Sequence, residues 1–421
     1  MTLPESFVQY TRNLMGDCLF FNYLSALDEP SPVSIRINPF KCSSDAFDTS
    51  VMQKVAWCPY GYYLDKRPDF TFDPLLHAGV YYVQEASSMF VCEVLRQLVH
   101  HPVYMLDLCA APGGKSTAAM SVLPKGSSLV SNEPIKLRAS VLKENVIKFG
   151  HPDITVTSSY ASAFQKAGMQ FDVILADVPC SGEGMFRKDP ETIKEWSERK
   201  VTECAELQRS IIRDIWPCLK PGGLLIYSTC TFNAHEDEEN VEWIMKEFGA
   251  KLVEIDTDTS WGIQGGLTGL EPVYRFITGC TKGEGLFMAV LRKNASDTEY
   301  ANVKGSMIMP PVHTIYSAFP PDDKKGKQLI PHVSKALSRN YGDFNFPMVE
   351  VDWQQAINYL QRMAITLSAE APKGIVIISY HGRPLGFAKN LGSRANNLYP
   401  QEWRIKSTHL PQDAPKIITW K

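Results

Sequence analysis

Two short segments of the chain each end an apolar run with a cysteine. One reads Asp-Val-Pro-Cys at residues 177–180 and the other Tyr-Ser-Thr-Cys at residues 227–230. Because the ligand crevice of an open parallel sheet lies outside the carboxyl ends of its strands, we expect both cysteines to open into one site. A thiolate is a strong nucleophile, and a neighbouring carboxyl group can act as an acid. The set predicts covalent catalysis by a thiol. For three other cysteines we expect buried, unreactive thiols, namely Cys92, Cys204 and Cys218.

Methylation of cytosine at carbon 5 is a reaction that needs such a set. That carbon is a poor nucleophile, but addition of a thiolate to carbon 6 makes it enamine-like. An acid near ring nitrogen 3 offsets the developing charge, and Asp177 is placed for that role. Elimination after transfer gives a second cysteine a function. The spacing leaves open whether Cys180 or Cys230 attacks, and amine methylation, which forms no covalent intermediate, fits the set poorly.

A glycine-containing loop at residues 107–117 reads Asp-Leu-Cys-Ala-Ala-Pro-Gly-Gly-Lys-Ser-Thr. It leaves an apolar run and enters a predicted helix, and Gly113 and Gly114 permit close approach of the backbone to a ligand. The loop is not a P-loop, because Cys109 stands where that motif requires glycine. It also lacks the GxGxxG spacing of dinucleotide-binding folds. Nucleotide hydrolase and dehydrogenase functions are therefore disfavoured.

The next predicted strand ends at Glu133, about twenty residues beyond Gly113. A carboxylate at this place can hydrogen-bond both hydroxyls of a ribose. A nucleoside cofactor that carries no pyrophosphate needs no phosphate cradle. The loop and Glu133 together predict S-adenosylmethionine as the cofactor.

The elements around these motifs alternate between apolar runs and amphipathic stretches, which predicts a mostly parallel sheet with helices on both faces. The predicted strands lie at residues 104–110, 128–133, 171–178, 223–230 and 285–293. Asn233 is predicted to cap the next helix, because acidic residues crowd the helix's first turn. A polar stretch places a boundary near residue 294.

Charge is distributed unevenly along the chain. The whole sequence has a net charge of −3, whereas residues 294–421 carry +5 and residues 1–293 carry −8. A basic module on an acidic body suits attraction to a phosphate backbone. Residues 1–75 contain one strand candidate, Ser-Ile-Arg-Ile-Asn-Pro-Phe, and little other periodicity, so we expect a small accessory domain.

Targeting and metal-binding signals are not evident in the sequence. The chain begins Met-Thr-Leu-Pro-Glu, without a basic segment followed by an apolar one, and contains no run of about 20 apolar residues. We therefore expect a cytoplasmic protein with no membrane partner. The ten cysteines lack paired CxxC spacing, so we expect reduced thiols and no bound metal.

Taken together, the motifs resemble those of the Nop/Sun family of RNA 5-methylcytosine methyltransferases, in its bacterial RsmF-like branch. The similarity covers almost the whole chain. It is carried by Ser-Ile-Arg-Ile-Asn, Tyr-Tyr-Val-Gln-Glu-Ala-Ser-Ser, Asp-Leu-Cys-Ala-Ala-Pro-Gly-Gly-Lys-Ser, Asp-Val-Pro-Cys-Ser-Gly-Glu-Gly-Met-Phe-Arg-Lys-Asp-Pro, Lys-Pro-Gly-Gly-Leu-Leu-Ile-Tyr-Ser-Thr-Cys-Thr and Lys-Gly-Glu-Gly-Leu-Phe.

The resemblance implies an α/β fold with a Rossmann-like class I methyltransferase core. It implies four parts: an N-terminal RNA-contacting domain at 1–75, the methyltransferase domain at 76–293, a linker at 294–312 and a basic PUA-like domain at 313–421. It makes Cys230 the attacking thiol and Cys180 the residue that assists product release, with Asp177 and Lys115 on the target base. The implied cofactor-binding residues are Cys109, Ala110, Ala111, Pro112, Gly113, Gly114, Lys115, Glu133, Arg138 and Asp177.

The sequence departs from the family pattern in three places. Val178 replaces the alanine of Asp-Ala-Pro-Cys. Tyr160 stands where relatives often place an aspartate on the adenine amine. The His-Pro pair often found before Gly-Glu-Gly is absent, and residues 276–282 occupy that region. None of these changes removes a proposed chemical group.

The resemblance predicts a monomeric RNA cytosine carbon-5 methyltransferase whose partner is structured RNA, with small-subunit ribosomal RNA as the expected substrate. Transfer RNA is an alternative substrate. A second alternative is an inactive RNA-binding factor of ribosome assembly that retains the fold. Retention of both cysteines, Asp177 and the glycine loop disfavours that second alternative.

Overall fold

The N-terminal part of the chain combines one long helix with a small antiparallel sheet. The computed structural model describes residues 2–42, 52–295, 312–325, 328–407 and 409–418. The elements are α1 (Glu5–Leu27), β1 (Val33–Ile37), β2 (Gln53–Lys54), β3 (Gly61–Leu64), α2 (Pro74–His77) and β4 (Tyr81–Val83). The sheet has the order β2-β3-β1-β4, and the pairing of β4 with β1 extends it past residue 75.

Helix α1 was not predicted from the sequence, and its geometry explains why. Gly16 has a φ of 74°, so the helix kinks there and its apolar residues do not follow one helical period. Phe7 and Tyr23, one on each side of the kink, are buried against aromatic residues much later in the chain. The Phe7 ring lies 5.5 Å from Trp196, and the Tyr23 ring lies 5.3 Å from Phe232. Tertiary packing thus selects this helix.

The central sheet has nine strands, with the path β10-β12-β9-β8-β5-β6-β7-β13 and β11 paired to β12. Strands β5 to β9 are parallel to one another, whereas β10 to β13 each pair antiparallel to a neighbouring strand. The strands are β5 (Tyr104–Asp107), β6 (Ser128–Asn132), β7 (Ile154–Thr157), β8 (Phe171–Asp177), β9 (Leu219–Thr229), β10 (Lys251–Leu252), β11 (Tyr274–Phe276), β12 (Leu286–Arg292) and β13 (Thr314–Tyr316). The five strands predicted for this sheet are confirmed.

Helices cover both faces of this sheet, as the alternation predicted. Neighbouring strand residues point to opposite cores: Met105 packs with Leu142, whereas Leu106 packs with Ile212. Because strands with two buried faces are apolar throughout, they were the elements easiest to recognise. The helices are α3 (Val91–Leu98), α4 (Gly114–Val122), α5 (Lys136–Phe149), α6 (Ala161–Lys166), α7 (Glu191–Glu195), α8 (Glu198–Ile215) and α9 (Glu238–Phe248).

The C-terminal part contains a hairpin and a second four-stranded sheet of order β16-β17-β18-β19. Its elements are β14 (Asp323–Lys325), β15 (Gln328–Ile330), α10 (Val333–Leu337), β16 (Met348–Glu350), α11 (Trp353–Leu360), β17 (Gly374–Tyr380), β18 (Arg383–Asn390) and β19 (Ala395–Asn397). It contacts both earlier parts. Trp353 Nε1 donates a hydrogen bond to Phe72 O (2.9 Å), and the Arg339 N–H donates to Gly150 O (3.0 Å).

The prediction that Asn233 caps the helix after β9 was wrong, because α9 begins at Glu238 with Asp237 in the N-cap position. The Asn233 side chain instead accepts the Glu236 N–H (2.9 Å) in the turn before the helix.

Most of the expected linker, residues 296–311, lies outside the described residues. Across the described ranges, none of the helices combines the length and apolar character that crossing a bilayer requires.

A buried arginine on β11 ties that strand to the start of α9. Arg275 is 1% exposed. Its Nε donates to Glu238 Oε1 (2.8 Å), its Nη1 donates to Phe232 O (3.0 Å), and its Nη2 pairs with Asp237 Oδ2 (3.0 Å). The guanidinium also lies 4.9 Å from the centre of the Phe287 ring. One cation therefore balances two adjacent buried carboxylates.

Replacing Arg275 with Met should lower the free energy of unfolding by about 3–5 kcal/mol, because it leaves two buried carboxylates without their cation. Urea denaturation followed by circular dichroism measures the change. The control is Arg199→Met, which removes an exposed arginine paired with Glu203 and should leave the free energy of unfolding almost unchanged. Equal losses in the two variants would contradict the role assigned to Arg275.

Candidate active site

The residues predicted to do chemistry meet at the carboxyl ends of β8 and β9. Asp177 and Ser228 are paired in the register of these two strands. Asp177 Oδ1 accepts a hydrogen bond from Ser228 Oγ (2.7 Å), and its Oδ2 forms an ion pair with Lys115 Nζ (2.9 Å). Burial by itself would lower the pKa of Lys115, but the Asp177 carboxylate outweighs it and the net pKa is raised. Lys115 therefore holds its proton beside a carboxylate.

The two cysteines lie in contact just beyond these strand ends. Cys180 Sγ and Cys230 Sγ are 3.1 Å apart, and the Cys230 N–H donates to Cys180 Sγ (3.3 Å). The hydrogen bond to Cys230 and burial raise the pKa of the Cys180 thiol well above its ordinary value, and Glu236 acts in the same direction. These contacts favour the protonated form of the Cys180 thiol, and in the contact between the two sulfur atoms either one can be the donor.

The other cysteines differ from this pair. All ten are free. Cys92 is buried, and its thiol donates to Ala118 O (3.5 Å). Burial raises the pKa of Cys204 to about 11 and that of Cys218 to about 12. Burial, assisted by Asp107, also raises the pKa of the loop residue Cys109. These thiols are protonated at neutral pH and are poor nucleophiles.

The glycine loop joins β5 to α4 and lines a crevice of about 200 Å³. Gly113 has a φ of 112° and is the N-cap of α4, a conformation that favours glycine. Two side chains of α5 hold the loop from outside: Arg138 Nη2 donates to Ala111 O (3.2 Å), and Asn145 Nδ2 donates to Pro112 O (2.7 Å). The crevice lining comprises residues 82–85, Ser88, Asp107, residues 109–112, Gly114, Lys115, Asp177 and Lys188.

Two buried carboxylates near this loop have an oxygen without a hydrogen bond among the described residues. Glu133 is 1% exposed; its Oε1 accepts the Ile135 N–H (3.0 Å), whereas Oε2 has only the Arg138 guanidinium at 3.4 Å. Asp107 Oδ2 accepts from Ser116 Oγ (2.6 Å), whereas Oδ1 accepts nothing. Burial raises the pKa of Asp107 to about 7. Buried acceptors of this kind are rare and suit a ligand that carries hydroxyl or amino groups.

Tyr160 occupies the position where relatives often have an aspartate. It precedes α6, and 76% of its surface is exposed. Ile135, which follows Glu133 in the chain, is 54% exposed. Neither residue has a carboxylate to offer an amine. Both side chains are exposed and largely apolar.

Two carboxylates behind the cysteines, Glu236 and Glu183, were not predicted from the sequence as part of the site. Glu236, in the turn before α9, accepts hydrogen bonds from the Ser181 N–H (3.0 Å), Gln208 Nε2 (2.7 Å) and Asn233 Nδ2 (2.8 Å). It is fully buried. Burial raises its pKa, while the bonds from Ser181 and Asn233 act in the opposite direction. Glu236 therefore holds the backbone next to Cys180.

Glu183 does the same for the segment after Cys230. Its Oε2 accepts from Thr231 Oγ1 (2.6 Å) and from the N–H groups of Phe232 and Asn233 (2.9 Å each). Its Oε1 accepts from Trp196 Nε1 (2.8 Å). An available signal was the position of Glu183 in Cys-Ser-Gly-Glu-Gly, three residues after Cys180. Among the described residues, no group of three or more His, Cys, Asp or Glu side chains is arranged to hold a metal ion.

Comparison with protein families finds three matches along the chain. A model described as 16S rRNA methyltransferase RsmB/F matches residues 97–292. The model of the N-terminal domain of 16S rRNA methyltransferase RsmF matches residues 3–86, and that of the RsmF PUA domain matches residues 346–405. The three parts occur in the same order as the parts of the fold described above.

Individual relatives agree with these matches. The chain is 35% identical over 310 residues to ribosomal RNA small subunit methyltransferase F of Cronobacter sakazakii, and 33% identical over 308 residues to that of Serratia proteamaculans. Each alignment covers 70% of this chain and 64% of the relative, which is slightly less than two thirds of the relative's length. The Salmonella heidelberg protein of the same name is 29% identical over 479 residues, with 95% of this chain and 96% of the relative covered.

Solved structures share the fold. NSun6 from Pyrococcus horikoshii, solved with SFG, gives a TM-score of 0.60 at 21% identity over 70% of this chain and 99% of that protein. A methyltransferase homologue from the same organism gives a TM-score of 0.56 at 23% identity, with 69% and 100% covered. The chain thus has the Rossmann-like methyltransferase fold, with an N-terminal domain and a C-terminal PUA domain.

Replacing Glu236 with Gln should lower the free energy of unfolding by about 1–3 kcal/mol, because the new amide group must face donors that now bind a carboxylate. Urea denaturation is the measurement. Glu203→Gln, on the exposed face of α8, is the matched control and should change stability by less than about 0.5 kcal/mol. A Glu236→Gln variant as stable as the control would show that these hydrogen bonds contribute little.

Proposed function

Since the chain belongs to the RsmB/F family of methyltransferases, we propose that it transfers a methyl group from S-adenosylmethionine to carbon 5 of a cytosine in structured RNA. The substrate is small-subunit ribosomal RNA, as the names of its relatives state for those proteins. The observation that carries the proposal is the contact between Cys180 and Cys230 (3.1 Å) beside the ion pair of Asp177 and Lys115 (2.9 Å).

The Asp177–Lys115 pair matches the polar edge of cytosine. The exocyclic amine of cytosine is a donor, and its N3 and O2 atoms are acceptors. The carboxylate accepts from the amine, and the ammonium donates to N3 or O2. Uracil presents an acceptor and an N–H at the positions of the amine and N3. The carboxylate would then face an acceptor, and the ammonium would face a donor. An unpaired polar group in a closed site costs about 1–3 kcal/mol, which favours cytosine.

Cys230 is the attacking sulfur in this proposal. Its bond to carbon 6 pushes electrons towards N3, where the Lys115 ammonium stabilises the charge. In this proposal Lys115, paired with Asp177 (2.9 Å), takes the role that the sequence predicted for Asp177. S-adenosylmethionine, when bound, supplies an electrophilic methyl group within reach of carbon 5. Loss of the carbon-5 proton to water then expels Cys230 from carbon 6 as a thiolate. Cys180 Sγ lies 3.1 Å from Cys230 Sγ, so the Cys180 S–H can donate to that leaving thiolate and stabilise it.

The cofactor fits the crevice beside the glycine loop. Glu133 Oε2, buried and without a hydrogen bond, suits the ribose hydroxyls. Arg138 holds both the loop and Glu133. The backbone from Cys109 to Lys115 forms the wall against which the rest of the cofactor lies. An analogue of S-adenosylmethionine, SFG, is bound in the related NSun6 structure.

RNA affinity comes in large part from the C-terminal region in this proposal. The region from residue 294 carries a net charge of +5, and the PUA match lies within it. The family resemblance implies that the protein acts as a monomer. Its substrate places it in the cytoplasm. Mapping of 5-methylcytosine in RNA from cells that lack the protein tests the substrate, and loss of a mark from tRNA instead would reassign it.

Replacing Glu133 with Ala should weaken cofactor binding by about 1–3 kcal/mol, because hydrogen bonds to a charged group are lost. Isothermal titration with S-adenosylmethionine measures the effect. Glu203→Ala is the control, since Glu203 lies on the exposed face of α8 and should leave cofactor affinity unchanged. Wild-type affinity in a folded Glu133→Ala variant would contradict the ribose assignment.

Replacing each cysteine should stop the reaction at a different stage, because covalent catalysis separates adduct formation from adduct breakdown. Cys230→Ala should give neither methyl transfer nor an adduct. Cys180→Ala should accumulate enzyme joined to methylated RNA, because elimination is slowed. Denaturing gels reveal the adduct as a slow-migrating, protease-sensitive band. Cys204→Ala should behave as wild type. Trapping by Cys230→Ala and not by Cys180→Ala would reverse the two roles.

A further inference from the structure

A buried arginine of the N-terminal part contacts the helix that follows the glycine loop. Arg36, on β1, is 1% exposed. Its Nη2 donates a hydrogen bond to Thr117 Oγ1 (2.5 Å), and its Nη1 donates to Thr117 O (3.3 Å) and Ser121 Oγ (2.8 Å). The two acceptor residues lie one helical turn apart on α4. One side chain of the N-terminal sheet thus binds two successive turns of α4.

The same guanidinium holds a segment that lines the crevice. Arg36 Nε donates to Gln84 Oε1 (2.8 Å), and Gln84 Nε2 donates to Ser88 Oγ (3.0 Å). The backbone of Gln84 is fixed to β1, because its N–H donates to Ser34 O (3.2 Å) and its O accepts from Ser34 Oγ (2.5 Å). Gln84 and Ser88 both line the crevice beside the glycine loop. Arg36 therefore joins this wall of the crevice to α4.

Thr117 connects Arg36 to the glycine loop. Its Oγ1, which accepts from Arg36, donates to Gly113 O (2.8 Å), and its N–H donates to the same carbonyl oxygen (3.0 Å). Gly114 O lies 3.2 Å from the same hydroxyl oxygen. Lys115, the next residue, lines the crevice. The Thr117 hydroxyl thus holds the two carbonyl groups that precede Lys115.

The N-terminal sheet also packs directly against this part of the loop. A Cβ at Gly114 would lie 3.3 Å from Tyr82 Cε1 and 3.5 Å from Gln84 Cδ. Tyr82 belongs to β4, which pairs with β1. The first residue of α4 therefore has little room to move relative to the N-terminal sheet.

Stability alone does not explain an arginine at this position. Among the described residues, the hydrogen-bond acceptors of the Arg36 guanidinium are neutral carbonyl, amide and hydroxyl oxygens. A buried charge without a counter-ion costs free energy. A guanidinium does, however, present five N–H groups in a fixed planar arrangement, so it can bind several acceptors at once. The contacts favour a role in the geometry of the site.

We propose that Arg36 is a positioning residue for the binding of S-adenosylmethionine. It acts through Thr117, because neither side chain is among the described residues that line the crevice. Arg36 holds the glycine loop and Lys115 against the wall that contains Gln84, so the N-terminal part contributes to cofactor affinity as well as to contact with RNA. This inference rests on the proposed function, because it takes the crevice beside the loop as the cofactor site.

The test is isothermal titration of the full-length chain with S-adenosylmethionine in the absence of RNA. Thr117→Val keeps the shape of the side chain but removes the hydroxyl, and it should weaken cofactor binding about tenfold, the scale for a hydrogen bond to a charged group. Thr117→Ser retains the hydroxyl and should keep most of the affinity. Arg36→Lys retains the charge but lacks the planar set of donors, so it should lose affinity to a similar extent.

A double substitution tests whether Arg36 acts through Thr117. In the Arg36→Lys background, Thr117→Val should cost little further affinity, because the contact between the two side chains is already lost. Full additivity of the two losses would overturn the action through Thr117.

The control for a general loss of stability is Tyr359→Phe. It removes a buried hydroxyl of α11 that donates to Phe387 O (3.0 Å). This variant should melt at a lower temperature, as Thr117→Val should, but with unchanged cofactor affinity. An equal loss of cofactor affinity in the two variants would show that the effect is one of stability, against the proposal. Thermal melting identifies any variant that fails to fold, and if either Arg36→Lys or Thr117→Val does, the other decides.

Two outcomes separate this inference from the proposed function. Wild-type cofactor affinity in folded Arg36→Lys and Thr117→Val variants would overturn the role of Arg36, even if the chain methylates RNA. A wild-type chain that binds S-adenosylmethionine but transfers no methyl group to RNA would instead contradict the proposed function, and the cofactor affinities of the variants would still decide the role of Arg36.

Discussion

The proposed chemistry of this molecule depends on two sulfur atoms that lie 3.1 Å apart at the ends of β8 and β9. The register of the strands brings the two segments together, but the segments beyond the strands have no sheet partners of their own. Two buried carboxylates supply the missing hydrogen bonds. Glu236 binds the N–H that follows Cys180, and Glu183 binds the backbone two and three residues after Cys230. The negative charge of Glu236 also favours a protonated Cys180, so this carboxylate affects both the geometry and the protonation of the site.

Near the glycine loop lie two carboxylates whose arrangement does not favour the stability of the folded chain. Glu133 and Asp107 each have a buried oxygen without a hydrogen bond, and burial raises the pKa of Asp107 to about 7. Such groups cost free energy in the folded chain. A ligand with hydroxyl or amino donors would satisfy them, so the cost fits a site arranged to gain affinity on binding.

The sequence alone determined the sheet and the location of the chemistry. Strands buried on both faces are continuously apolar, and residues at their carboxyl ends, such as Asp177, must share one edge. It could not determine α1, whose apolar residues are explained only by their packing against Trp196 and Phe232. It also could not locate the first residue of α9, so the expected N-cap at Asn233 was wrong. Spacing left the roles of the two cysteines open. The proposal assigns the attack to Cys230. It uses contacts that only the fold creates, between Glu236 and the backbone next to Cys180 and between Lys115 and Asp177. Glu183 and Glu236 were not predicted for the same reason. Burial and hydrogen bonding depend on neighbouring residues in the folded chain, and the sequence alone does not identify those neighbours.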